Sequence, residues 1–516
     1  MSGDCPICAK HAGHGPLIGG AVIEQDELVV VTHRPVDAVT GRGVAGYVFV
    51  DTRRHVARWT GLTAAEIDAV ARAAGRVARA LEAEFGTDLV MSAVAGLAVP
   101  QLVVARTRDA LADAADAWYG RPSERLEVIG VTGTDGKTTT CYLAVAALQA
   151  GGKRPGMIGT VAVRVGDEVR PNEDRNTTPE SLELQELLAE MVEAGNDSVV
   201  MEATSHGLAQ SRVRNCRFRV GVVTNLTSEH LEFHGSLEAY RAAKAMLVEE
   251  APIAILNADD PSFGYFRDRA RDRVVAYGTD ARALVRASEI EARADGTTFT
   301  ATTPTWSGQV HLQLPGAFNV HNALGALALA EVEGVDPAKA AEGIGAVSGV
   351  PGRMERIDAG QPFGVVVDYA HTADSLAKML RTLRPLTTGR LIVVFGSAGE
   401  RDRVKRPAMG KVAAELADFA VVTDEDPRLE DGHAINEAIA EGARSAGARD
   451  GSNLWVIDDR RAAIAHAIGL AGSGDMVLLA GKGHEGSIFY ANEKRWWDER
   501  EVARQELAAA GFKTDG

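Results

Sequence analysis

From residue 126 onward the chain alternates short apolar runs, each stopped by a Gly- or Asp-bearing turn, with longer stretches whose apolar positions recur three and four residues apart. The short runs predict buried strands and the longer period predicts helices. LEVIGVT reads as a strand, GTDG as a turn and KTTTCYLAVAALQAGG as a helix ended by its glycines. SVVMEA, GVVTNL and IAILN follow as strands with helical stretches between them, the alternation of a parallel sheet covered by helices. A second series begins near residue 352 with VVVDYA, LIVVFG, FAVVTD, LWVID and MVLLAG, interleaved with Ala-rich helices such as PAMGKVAAELA. SGVPGR breaks both patterns and puts the junction at about Gly349–Arg353.

Residues 1–98 have another rhythm. GGAVIEQDELVVVTHRP and AGYVFVDTRRHV predict antiparallel strands, and LTAAEIDAVARAAGRVARALEAEF predicts one long amphipathic helix. The expected fold class is therefore α/β, with two tandem doubly wound domains over 126–350 and 351–516. A small α+β unit over 1–98 and a connector over 99–125 precede them.

At 516 residues the chain is too long for one core, which agrees with this division. Apolar residues at 46% and charged residues at 24% are an ordinary globular balance. The net charge of −16 argues against general affinity for nucleic acid or anionic membrane, while leaving room for a local basic pocket. No apolar run approaches the roughly 18 residues of a membrane helix, and MSGDCPICAKHAGHG lacks the features of a secretory signal. Cys5, Cys8, Cys141 and Cys216 make no disulfide framework. A cytoplasmic protein without membrane insertion is expected, and its oligomeric state is left open.

The turn between the first strand and helix carries the clearest chemistry. Gly133, Thr134, Asp135, Gly136, Lys137, Thr138 and Thr139 form a G-x-x-G-K-T loop. Glycines let backbone N–H groups face a polyphosphate, and a helix N-terminus adds favourable partial charge. Lys137 can reach the outer phosphates and a Thr hydroxyl can ligate Mg²⁺.

VTGTDGKTTT resembles the ATP loop of the Mur ligases, a family that includes folylpolyglutamate synthetases, and further matches follow in order over about residues 99–507. Asn176-Thr177-Thr178-Pro179 resembles the muramoyl-peptide loop of the members that add the third peptide residue. Met201 to Leu208 resembles their E-V-S-S-H-G/A-L segment, with Gln210 and Arg212 at the family's spacing. Thr224-Asn225-Leu226 and Glu229-His230-Leu231-Glu232 resemble T-N-L and D-H-L-D, with Glu for Asp twice. Phe318 to Ala323 resembles the adenine-side F-N-x-x-N-A motif through Asn319 and Asn322. Arg353 and Asp368 fall in segments that resemble the hinge and ribose-side motifs, and GKGHE at 481–485 closes the series.

The resemblance implies a P-loop ATPase-like central domain and a Rossmann-like C-terminal domain. It implies an ATP-dependent ligase that makes an acyl phosphate, which an incoming amine displaces. Lys137, Glu202, His230 and Lys244 would be catalytic, with Mg²⁺ held by Thr138, Glu202, His230 and a carbamylated Lys244. Thr177, Thr178, Thr204, Gln210 and Arg212 would contact a UDP-linked muramoyl dipeptide. His206 and His371 can equally be read as residues that orient a loop. Arg401, Asp426, Arg428, Gly481 and Glu485 would hold the acceptor diamino acid. Arg403, Lys405 and Arg406 follow Arg401, and this cationic cluster can also be a solvated face. Asp426 stands where members that add meso-diaminopimelate carry Asn. An ionised Asp accepts hydrogen bonds and donates none, so lysine or ornithine joins meso-diaminopimelate as a candidate acceptor. A Mur-like ligase with another donor or acceptor, and a nucleotide-binding protein with impaired catalysis, are the alternative readings.

Residues 1–98 resemble the front of a histidine-triad nucleotide-binding domain, but the H-x-H-x-H that should follow Val99-Pro100 is replaced by QLVVA. No hydrolase activity of that family is expected. Cys5 and Cys8 have zinc-ligand spacing, and His55 matches a third-ligand position. Reduced structural thiols are the competing reading of the pair.

Overall fold

A computed structural model describes Val104 and residues 106–172, 176–227, 231–293, 296–491 and 493–512, with the backbone alone at 231–232. Within 1–103 it describes the backbone of three strands, β1 (Val22–Gln25), β2 (Val29–His33) and β3 (Val48–Thr52). β1 and β3 each pair with β2 antiparallel, as the alternating pattern predicts. Cys5, Cys8, His55 and the helix expected after them lie outside the described residues.

The chain forms two compact units: Met1–Thr134, Arg154–Ala254 and Gly264–Val274 make the first, and Asp135–Lys153, Ile255–Phe263 and Val275–Gly516 the second. In the first, β4 (Glu127–Thr132) lies between β8 (Ser198–Glu202) and β9 (Phe218–Val223), parallel to both. β5 (Pro155–Ile158) extends the parallel run beyond β8. β6 (Ala162–Val165) and β7 (Glu168–Pro171) add an antiparallel edge whose AVRV and EVRP strands carry no long apolar run. The core joins Val128, Ile158, Leu184, Met201, Phe218 and Leu247. A Cβ at Gly130 would stand 2.6 Å from Leu247 Cδ1, so this central strand needs its glycine to let the helix Leu237–Glu250 dock. Thr204 and Ser236 cap the helices that follow them, each accepting from a backbone N–H three residues on.

In the second unit the helix Lys137–Ala150 packs on the helices Phe318–Val332 and Pro337–Gly345. β11 (Arg273–Gly278) pairs parallel with β12 (Val285–Arg293), which turns back through β13 (Gly296–Thr302) and β14 (Ser307–Leu312) as an antiparallel meander. β13 is Thr-rich and buried at alternate positions, a half-buried strand without an apolar run to announce it.

The second predicted series forms its own sheet from β15 (Glu355–Arg356), β16 (Gly364–Asp368), β17 (Leu391–Phe395), β18 (Phe419–Val422), β19 (Leu454–Val456) and β20 (Met476–Ala480). The order is β15-β16-β20-β17-β18-β19, parallel throughout except for β15. Separate apolar clusters cover its two faces, so the domain is doubly wound as expected. β20 is inserted between β16 and β17, so the chain steps from β16 through β17 and β18 to β19 in one direction and only then returns to β20. Ligands of open α/β sheets bind outside the carboxyl ends of the strands. The carboxyl ends here carry Asp368, Ser397, Asp424 to Asp426 and Gly481-Lys482.

Candidate functional site

In the first unit β4 runs into Gly133, where φ is +147° and a Cβ would stand 1.8 Å from Thr224 Oγ1. The strand end therefore stays bare. Thr134 donates its N–H to Asn225 O at 2.9 Å, and its hydroxyl lies 3.1 Å from Tyr240 Oη. The T-N-L segment after β9 thus brackets the loop. Lys244 is buried, donates to Gly133 O at 2.7 Å and stands 4.6 Å above the Tyr240 ring.

Glu202 ends β8 with no exposed surface. Its carboxylate accepts from Thr160 N at 2.8 Å, and the Thr160 hydroxyl lies 3.0 Å from both carboxylate oxygens and from Thr177 Oγ1. Thr178 donates to Glu202 O at 2.8 Å and lies 2.9 Å from Thr204 Oγ1. Arg212 donates to Thr178 O at 3.0 Å and to Gln210 Oε1 at 2.9 Å, and it shares Glu180 with Arg108. Burial is the main cause that holds the Arg212 pKa below its usual value, and its Nε is buried with no partner. The predicted substrate residues Thr177, Thr178, Thr204, Gln210 and Arg212 therefore gather around the end of β8. His206 lies against Phe233, their rings 4.2 Å apart and tilted by 35°. His230 lies outside the described residues.

In the second unit Gly136 has φ +82° at the start of the helix Lys137–Ala150, and no side chain caps that helix. A Cβ there would stand 2.3 Å from Asn322 Oδ1. Thr140 donates to the same oxygen at 3.3 Å, and Asn322 donates to Asn319 Oδ1 at 2.9 Å. The two asparagines thus back the start of the helix, while Thr138 and Thr139 are buried within its first turn. Lys378 bridges Asp135 and Asp374, each at 2.8 Å. Asp368 accepts from Met354 N and Ala370 N at 2.8 and 2.9 Å, and burial raises its pKa against the opposing charge of Arg353. The Arg353 guanidinium lies 4.9 Å over the Tyr369 ring, with a buried, unpartnered Nε.

At the carboxyl edge of the second sheet Lys482 is fully buried and donates to Asp426 Oδ1 at 3.0 Å and to Glu485 Oε2 at 2.5 Å. Asp426 Oδ1 also accepts from Phe489 N. Glu425 is buried, and its Oε2 has no partner. Arg428 is half-buried at φ +57°, held by its N–H to Phe489 O at 2.8 Å. Of the cations after β17, Arg401 is exposed, Lys405 donates to His371 O, and Arg406 is buried against Glu430 and Ala398 O. Lys482, Thr160 and Tyr240 have no assigned role in the sequence reading. Lys482 stands inside the GKGHE motif and Tyr240 opens the YRAAK stretch that ends at Lys244, whereas Thr160 carries no local signal.

Residues 131–330 match the Mur ligase middle domain, and residues 352–483 match the Mur ligase, glutamate ligase domain. The chain is 48% identical over 431 residues to a UDP-N-acetylmuramyl-tripeptide synthetase of Roseiflexus sp. (strain RS-1), spanning 80% of this chain and 85% of that protein. It is 42% identical over 418 residues to the UDP-N-acetylmuramoyl-L-alanyl-D-glutamate--2,6-diaminopimelate ligase of Bacillus licheniformis, spanning 79% and 84%. A solved structure of a UDP-N-acetylmuramoyl-L-alanyl-D-glutamate--2,6-diaminopimelate ligase is similar with a TM-score of 0.58 and 31% identity, over 81% of this chain and 86% of that one.

Proposed function

The chain belongs to the Mur ligase family, and from that premise we propose that it joins a diamino acid to the D-glutamyl carboxylate of UDP-N-acetylmuramoyl-L-alanyl-D-glutamate in peptidoglycan synthesis. ATP phosphorylates that carboxylate, giving ADP and an acyl phosphate. The acceptor's amine then displaces inorganic phosphate and loses a proton. Residues 126–350 would bind ATP and the muramoyl dipeptide, and 351–516 would present meso-diaminopimelate, lysine or ornithine.

The observation that carries this reading is the bonded cluster of Thr177, Thr178, Thr204, Gln210 and Arg212 at the end of β8. It fixes the Arg212 guanidinium beside Thr178 and Gln210, a cation of the kind that pairs with a substrate carboxylate. The bare backbone at Gly133 and Gly136 and the uncapped helix at Lys137 suit the phosphates of ATP.

Among the described residues no group of three or more His, Cys, Asp or Glu side chains could hold a metal ion. Mg²⁺ in nucleotide sites commonly takes one or two carboxylates and fills its shell with phosphates and water, a pattern that one buried carboxylate fits. Glu202 would hold it, with His230 and Lys244 as further candidates, and bound Mg²⁺ would neutralise phosphate charge. Lys137 would orient the γ-phosphate, Arg212 the muramoyl peptide, and Arg428 a carboxylate of the acceptor.

The test is phosphate release by the purified protein with the UDP-dipeptide, ATP and each of the three diamino acids, omitting one component at a time. Release that needs all three supports the reading. Release indifferent to the UDP-dipeptide points to another donor and overturns it.

A further inference from the structure

Two loops of the acceptor crevice leave different strands, and one buried side chain grips both at their roots. Arg460 opens the helix Arg460–Leu470 and is 1% exposed. Its Nε lies 2.9 and 3.1 Å from the two carboxylate oxygens of Glu499, which is itself fully buried. Nη2 donates to Ala480 O at 2.8 Å and Nη1 to Asp424 O at 3.2 Å. Glu499 Oε2 also accepts from Trp497 Nε1 at 2.6 Å, which fixes the carboxylate from its other side. Ala480 ends β20 and precedes Gly481-Lys482, while Asp424 lies just beyond β18 and precedes Glu425-Asp426.

A buried ion pair is a weak source of stability, because desolvation offsets most of its attraction and a packed apolar pair of similar volume folds as well. An apolar pair cannot donate to two carbonyls at once, whereas the planar guanidinium sets both at fixed angles. The fork therefore contributes geometry, and the geometry it sets is the separation of the two loops that meet through Lys482.

We infer that Arg460, oriented by Glu499, is a positioning residue for the acceptor amino acid. It touches no substrate. It registers the Glu425–Asp426 segment against the Gly481–Glu485 segment, so that Lys482 bridges Asp426 and Glu485 and the pocket keeps one shape. The inference rests on the reading of these loops as the acceptor site.

The test uses the full chain with two variants, the double variant Arg460→Met/Glu499→Met and the single variant Arg460→Lys. The first replaces the pair by apolar groups of similar size. The second keeps the charge opposite Glu499 and loses the fork. Acyl phosphate formation is read without acceptor, as hydroxamate trapped by hydroxylamine from ATP and the UDP-dipeptide. Acceptor KM is then measured with the diamino acid that wild type uses best.

Both variants should form hydroxamate at the wild-type rate and keep the KM for ATP, while the acceptor KM rises about ten-fold or more, as expected when positioning fails by a fraction of an ångström. If the double variant cannot be purified folded, Arg460→Lys alone must show the same split. An unchanged acceptor KM, or hydroxamate formation that falls in step with acceptor use, overturns the positioning role. Wild type that forms no hydroxamate removes the functional reading, and this inference with it.

Discussion

Lys482 Nζ lies 3.0 Å from Asp426 Oδ1, so the carboxylate proposed to bear on acceptor choice is already engaged by a lysine of its own chain. Burial alone would lower the Lys482 pKa, but Glu485, Asp426 and Glu425 outweigh it and hold the group as an ammonium with a raised pKa. Three carboxylates then face one buried ammonium, and Lys405 and Arg460 also act on Glu425. Asp426→Asn should remove one of those charges and supply a donor for a second acceptor carboxylate. The ratio of kcat/KM for meso-diaminopimelate to that for lysine should rise about ten-fold, the equivalent of one hydrogen bond of roughly 1.4 kcal/mol. Competition assays with the two amino acids measure it directly, and an unaltered ratio takes Asp426 out of acceptor choice.

Arg428 sits in the left-handed region and is pinned through its own N–H to Phe489 O. Its backbone is therefore set independently of its side chain. Arg428→Ala should raise the acceptor KM by about ten- to a hundred-fold, since a charged hydrogen bond is worth roughly 1.5–3 kcal/mol. The KM for ATP should stay within about two-fold, because no phosphate contact is removed. Equal changes in both constants would assign the residue to structure instead.

His484 gives the pH prediction. Burial, then the positive charges of Arg353, Arg500 and Lys482, lower its pKa to about 3. An unfolded histidine titrates near 6.5. Between about pH 6.5 and pH 3 the unfolded chain therefore binds a proton that the folded chain refuses. This contribution to stability is complete above pH 6.5 and is lost progressively as the pH falls toward 3. His484→Gln, neutral at every pH, should flatten the decline of Tm between pH 6.5 and 4. Parallel Tm profiles for the two proteins would show that His484 is not held neutral by its surroundings.

The parallel strands were legible in the sequence because strands covered on both faces must be apolar at nearly every position. LIVVF at Leu391–Phe395 is buried throughout, as its composition demands. The antiparallel additions were not, since β13 buries only alternate residues and β7 remains largely exposed. The phosphate loop was legible because its glycines and lysine are neighbours in sequence. Thr160 was not, because it acquires its partner Glu202 only through folding. Lys482 shows a different limit. Its motif was visible, but the sequence could not show that its ammonium would bond Asp426 and Glu485, the carboxylates proposed for the acceptor.

Lys137 stands half-exposed at the first position of a helix without a side-chain cap, and in the proposed ATP site it serves phosphate charge. Lys137→Ala should lower ATP-dependent phosphate release by about a hundred-fold or more, the scale for loss of one preorganised charged donor. Thermal unfolding should be unchanged within a degree or two, because a surface substitution of this kind costs little. Near-normal turnover in a folded variant would falsify the assignment of this loop to ATP.

Lys244 is the sharper case, because two roles predict opposite responses to added ligands. Its Nζ is buried, 2.7 Å from Gly133 O and over the Tyr240 ring, so an unmodified lysine would simply brace the loop. A carbamylated lysine keeps one N–H, which can still donate to Gly133 O, and gains two carboxylate-like oxygens suited to Mg²⁺. Lys244→Ala should remove most activity under either role. Excess bicarbonate should restore none of it, since no amine remains to carboxylate. Short carboxylates such as formate or acetate should recover part of the rate if the lost group was anionic, by occupying the vacated space beside Gly133. Short alkylamines should do so if the lost group was an ammonium. Rescue by the amine and not by the acid, measured as phosphate release at matched ionic strength, would establish the brace and exclude the carbamate.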